Sequence, residues 1–127
     1  MASSRLLNRY ASAMIDSAAG HGFTWPSISA AVQLGTDELR SAQFDNASFF
    51  RISREIKVLM GDEFCGFTPA PCRVGTFGEM CGRAVSAPTV GEALRCAFDF
   101  YAERTRDVHF ELSRREEIAR VDRKSVV

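Results

Sequence analysis

The stretch from Asp62 to Gly75 constrains the fold most, because it can be neither a helix nor a simple strand. Gly66, Pro69, Pro71 and Gly75 break any regular period. Its Phe64, Cys65, Phe67 and Cys72 are nonetheless too apolar for a solvated linker. The expectation is an ordered loop, with Phe64, Phe67 and the following Phe77 packed down onto regular elements on either side. Phe77–Ala84 then reads as a short helix or strand, the helix favoured, in which Gly78 and Gly82 allow close backbone approach.

Upstream, Leu6, Leu7, Tyr10, Met14, Ile15 and Ala18 recur at three- and four-residue intervals and predict a helix from Ser4 to about Ala19. Gly20 and Gly22 end it, and His21 between them reads as a solvated turn residue. Pro26 biases Trp25 toward extended geometry, and Ser27 is placed to cap a short helix running to about Leu34, stopped by Gly35. Trp25 reads as a plug beneath a loop. Thr36-Asp37-Glu38-Leu39 begins another short turn of helix, its acidic residues suited to an N-terminus. Asp45 or Asn46 caps a helix over Ala47–Met60. Its expected buried face is Phe50, Ile56, Leu59 and Met60, with Phe49 and Ile52 at the edges and Gly61 as the stop.

Downstream, Thr89 and Glu92 form a capping box. Val90, Ala93, Leu94, Ala97, Phe98, Tyr101 and Ala102 trace the apolar stripe of a central helix over about 89–104. Val108–Leu112 alternates as a half-buried strand, Ser113–Glu117 reads as its turn, and Ile118–Lys124 as a returning strand. The whole is α+β: N-terminal helices, a central capped helix and a C-terminal strand or hairpin, in a single domain spanning 1–127.

Sixteen basic residues balance sixteen acidic ones, which gives no electrostatic footprint for nucleic acid. Ten Phe against two Tyr and one Trp is a dry aromatic set suited to burial. No apolar run approaches the length of a membrane span, and the first ten residues lack the apolar core of a signal peptide. The reading is a cytoplasmic protein with reduced thiols.

Chemistry is sparse. Cys65, Cys72, Cys81 and Cys96 lack zinc or redox spacing, so neither a metal nor a cofactor is expected. Cys72 with His109 is the one conceivable nucleophile–base pair, but no third group orients it. The pairs Asp62-Glu63 and Glu116-Glu117 are sequence neighbours that would not face one reacting bond, and Gly75-Thr-Phe-Gly is too short to cradle a phosphate. No catalytic residue is expected, and the chain is read as not an enzyme.

One larger pattern stands out. A helix with Arg51-Ile-Ser-Arg-Glu-Ile-Lys is followed by an acidic turn at Asp62 and the loop Pro71-Cys-Arg-Val-Gly-Thr-Phe-Gly-Glu-Met-Cys. Then come Ala87-Pro-Thr-Val-Gly-Glu-Ala-Leu-Arg, the aromatic helix end Phe98-Asp-Phe-Tyr, and Val108-His-Phe-Glu-Leu. From about Leu6 to Leu112 the chain resembles the N-terminal sensor domain of AraC-type transcription regulators, in the branch whose domain is termed arabinose-binding. The resemblance implies an effector-sensing or dimerising domain of a bacterial-type regulator. Its partners would be a small-molecule effector and a second copy of the chain. DNA would be engaged only through a C-terminal pair of helix-turn-helix motifs outside this sequence. Ending at Val127, the chain is expected to be an incomplete sensor domain.

The sugar label is not carried over, because no polar cluster matches the hydroxyls of a sugar. An apolar effector pocket is expected near Phe64, Phe67, Phe77, Met80, Phe98 and Tyr101, with Arg73 or Tyr101 as polar contact. Two other readings stay open: a structural or dimerisation module without ligand, and an enzyme using a cysteine nucleophile.

Overall fold

Two isoleucines one helical turn apart, Ile52 and Ile56, anchor the N-terminal half and are fully buried. They lie on the fourth helix of the chain. The computed structural model describes residues 2–41, 43–115 and 118–125. Among these the elements are α1 (Ala2–Gly20), α2 (Trp25–Val32), α3 (Thr36–Ser41), α4 (Asn46–Met60), α5 (Thr76–Ala84), α6 (Val90–Arg104), β1 (Val108–Arg115) and β2 (Ile118–Ser125). The chain is thus mostly helical, with an antiparallel pair of strands at its C-terminal end. Packing divides it into two compact units, Met1–Val74 and Gly75–Val127.

In the first unit, α1 and α2 both pack on α4. The core joins Ala11, Met14, Ile15 and Ala18 of α1 to Ile28 and Val32 of α2, Leu39 of α3, Ile52 and Ile56 of α4, and Cys65 of the following loop. Leu6 and Tyr10, expected on the α1 stripe, are instead exposed. The spacing from Ala11 through Ala18 already fills the face toward α4, and both lie off it. On α4 the buried face is Phe49, Ile52, Ile56, Leu59 and Met60. Phe50 was expected inside but is 68% exposed. Once Ile52 and Ile56 point inward, the residue three positions before Ile52 shares their face. Phe50 is rotated about 200° from Ile52 and faces outward.

The helix ends have local causes. Asp45 caps α4, accepting from the Ser48 N–H at 2.7 Å, and that bond holds its carboxyl below the ordinary carboxylate range. Gly61 closes α4 in the left-handed region, φ 63°. At α2 the cap is Thr24, and Ser27 is the donor to it rather than the cap, at 3.2 Å. The helix begins earlier than expected because Pro26 sits in the first turn, where no N–H is needed. Trp25 is therefore helical, packed partly on the core with Arg40 over its ring at 5.4 Å. The stop is Gln33 at φ 58°, not Gly35. There the Leu34 N–H reaches back to the Ser29 carbonyl, and the Ser29 hydroxyl donates to the Leu34 carbonyl.

In the second unit α5 packs on α6 and α6 on β1. Thr89 accepts from the Glu92 N–H at 3.1 Å, the cap that the sequence announces. The α6 side chain most deeply buried is one the stripe omitted: Phe100 is 3% exposed, whereas Val90 and Ala102 are exposed. Arginines cover it. Arg104 lies 3.4 Å and Arg83 5.2 Å from the ring centroid, and Glu79 holds both guanidinium groups, at 3.2 Å from Arg83 and 3.7 Å from Arg104. A guanidinium plane stacked on a ring buries it as an aliphatic neighbour would, with an electrostatic attraction added.

β1 pairs antiparallel with β2 from Val108↔Ser125 to Arg115↔Ile118. Ser113–Arg115, expected in a turn running to Glu117, belong to β1 instead; Glu116 and Glu117 lie outside the described residues. Replacing Thr89 with Ala is expected to destabilise the second unit by about 1 kcal/mol, and Thr89→Ser to leave it nearly unchanged. The shift of the α6 transition in urea, followed by circular dichroism, checks this.

Candidate functional site

The loop after α4 is built on one carboxylate. Asp62 is 4% exposed. Its Oδ1 accepts from the N–H of Phe64 at 2.8 Å and of Cys72 at 2.7 Å, and its Oδ2 from the N–H of Gly66 at 2.8 Å. The Glu63 N–H donates to the Cys72 carbonyl at 2.7 Å, so the loop closes on itself like a short clasp. Burying a carboxylate is costly, and these charge-assisted bonds from backbone amides offset the cost.

The loop is also docked on α1. Cys65 (φ 52°) and Gly66 (φ 73°) are both left-handed. The Ser17 hydroxyl donates to the Cys65 carbonyl, and His21 donates Nδ1–H to the Ser17 carbonyl at 2.7 Å. A Cβ on Gly66 would lie 2.5 Å from His21 Cε1 and 2.8 Å from Ser17 Oγ, so only glycine fits there. His21, read from sequence as a solvated turn residue, is exposed yet also walls this contact.

The fixed loop makes one wall of a groove whose floor is the outer face of α4. Phe50, Ser53, Arg54, Lys57 and Val58 line it from the helix, and Glu63 and Val74 from the loop, around a volume of about 420 Å³. These helix positions recur at three- and four-residue intervals, the same period as the core face but on the other side. Val58 is 58% exposed. Arg54 donates Nε–H to the neighbouring Glu55 at 3.1 Å, a largely solvated pair of small energetic weight.

The expected effector residues fall in both units. In the first, Phe64 is half-buried with its N–H on Asp62, while Phe67 and Arg73 are exposed. Arg73 immediately precedes Val74 of the groove wall. In the second, Phe77 is exposed on α5 and Met80 half-buried. Thus Phe67 and Phe77 do not pack down as expected: Gly66 and the Asp62 clasp bring Cys65 inward and leave Phe67 outside. Phe98 and Tyr101 do come together, around Phe110 of β1. Phe98 stacks on Phe110 with ring centroids 5.2 Å apart, and Tyr101 lies 5.9 Å from the same ring. A small hollow of about 100 Å³ adjoins them, lined by Phe98, Asp99, Ala102, Val108, His109 and Phe110. Sequence reasoning missed the α4 groove. The available signal was an α4 with too many apolar residues for one core face, Phe50 and Val58 being surplus to it.

The two loop thiols are withdrawn from solvent. Cys65 and Cys72 are buried, and burial, with Asp62 nearby and Lys57 partly opposing, raises the Cys65 pKa above the ordinary thiol value. His109 pairs with Glu111 at 3.8 Å on its own strand. No group of three or more metal-ligating side chains occurs among the described residues, and no helix among them is long and apolar enough to cross a membrane.

Comparison with known families places this architecture. The sequence profile described as the arabinose-binding domain of AraC transcription regulators, N-terminal, matches residues 22–124, from the end of α1 through most of β2. The chain belongs to this family. The matched span starts later than the resemblance read from Leu6, leaving α1 outside it, and ends later than Leu112, taking in most of the strand pair. No curated protein and no solved structure matches the chain. In this family member both the Asp62 clasp and the α4 groove lie within the matched residues.

Replacing Gly66 with Ala is expected to lower stability by about 1–3 kcal/mol, since a Cβ is both strained at this φ and blocked by His21. It should also speed labelling of the Cys65 thiol by a maleimide, with the exposed Cys81 unchanged. Peptide mass spectrometry of the labelled chain reads both rates.

Proposed function

We propose that this chain is the effector-sensing, regulatory part of an AraC-type transcription regulator, an α+β module that modulates transcription through a DNA-binding part outside residues 1–127. The observation that carries the reading is the family match over residues 22–124. The balanced charge supports it, since sixteen basic against sixteen acidic residues provide no stripe to neutralise phosphates. The module senses and does not itself grip the duplex. It works in the cytoplasm, where its free thiols stay reduced.

Effector contacts are offered in each unit: the α4 groove in the first, and Phe98 and Tyr101 about Phe110 in the second. The effector acts by binding one arrangement of the sensor better than another. Equal affinity for both would shift nothing. No residue is assigned a catalytic role.

The second reading is a pairing module that contributes a homodimer surface without ligand. Phe77 and Cys81 of α5 and Val85 at its C-cap, exposed at four-residue spacing, favour it.

The decisive test is the gene. An in-frame continuation encoding two helix-turn-helix motifs is expected beyond the codon for Val127. Unrelated sequence there, or tight operator binding by the 127-residue chain alone in a mobility-shift assay, would contradict the sensor reading.

A further inference from the structure

Around the α4 axis the groove residues run in the order Ser53, Lys57, Phe50, Arg54, Val58, so one edge of the groove is polar and the other apolar. Ser53 and Lys57 are one turn apart and stand on one side. Among the described residues the Lys57 ammonium forms no ion pair and the Ser53 hydroxyl no hydrogen bond, whereas Arg54 is engaged by Glu55. Phe50, Val58 and Val74 add apolar surface that no core residue covers.

Size decides what such a groove can seat. Two turns of a partner helix about 10 Å across would fill roughly 800 Å³. The groove, open to solvent on one side, has room for about 420 Å³, toward the lower end of small-molecule pockets, which span about 300–1,000 Å³. Charge narrows the class. Lys57 favours one negative group on the helix side, and with Arg54 engaged by Glu55 and Glu63 on the loop wall the lining offers no cation for a second.

The geometry points to a subsite for a small organic monocarboxylate with an apolar body: the carboxylate on Lys57 and Ser53, the body on Phe50, Val58 and Val74. This rests on the sensor reading and names the chemical class of its effector. Asp62 is a positioning residue here. It touches no ligand, but its three backbone bonds fix the segment that carries Glu63 and Val74.

The test is a titration of the ¹⁵N-labelled 127-residue chain with 4-phenylbutanoate and hexanoate, each beside its uncharged amide. The carboxylates are expected to shift the amide resonances of Ser53–Val58, Glu63 and Val74, and to bind about tenfold more tightly than the amides. Lys57→Gln should weaken the carboxylates about tenfold and leave the amides unchanged, which a merely unfolded variant would not do. Val58→Asp should abolish both. Absence of groove shifts at millimolar carboxylate, or equal affinity in Lys57→Gln, would overturn the subsite. Shifts confined to Phe98, Tyr101 and Phe110 would overturn it too, while leaving the sensor reading, which the downstream gene sequence judges separately.

Discussion

A buried carboxylate meeting three backbone amides holds together the part of the molecule that is least regular. Without Asp62 the amides of Phe64, Gly66 and Cys72 would lose their common acceptor. With it, Phe64, Gly66 and Cys72 are tied to one point. Two further features follow. Cys65 is turned inward to complete the core beneath α1 and α4, and Glu63 and Val74 of the loop stand beside α4 as a wall. The clasp is therefore at once a plug for the first unit and the scaffold of its groove.

A second device serves the other unit. Phe100 is covered by cations as well as by the Tyr101 ring, with Glu79 holding the two arginines over it. Glu79 and Arg83 lie on α5 and Arg104 on α6, so this cluster joins the two helices that α6 then connects to β1 through Phe98 and Phe110. The first unit thus relies on a buried carboxylate, and the second on a half-exposed one that holds two guanidinium groups over a ring.

Much of the architecture was legible in the sequence because its signals are local. The Thr89–Glu92 box, the Asp45 cap and the Gly61 stop each depend on a few neighbouring residues and a backbone preference. What failed depended on distant partners. Choosing Phe49 over Phe50 requires knowing that Ile52 and Ile56 face α1 and α2. Phe100 was omitted because its cover comes from Arg83, seventeen positions away, and from a charged residue type that reads as solvent-facing. Gln33 took the left-handed stop from Gly35 through a bond made by Ser29. The candidate site was only partly visible for the same reason. Phe98 and Tyr101 meet because β1 supplies Phe110, whereas the groove arises from the reverse face of a helix read only for its core.

The dependence of the loop on Asp62 is open to direct measurement by native-state hydrogen exchange. In the wild-type chain the amides of Phe64, Gly66 and Cys72 should be protected to a similar degree. In Asp62→Ala all three should accelerate together, while the Ile56 amide of α4 keeps its protection. Rapid exchange of these amides in the wild type, or protection that survives Asp62→Ala, would show that something other than this carboxylate orders the loop.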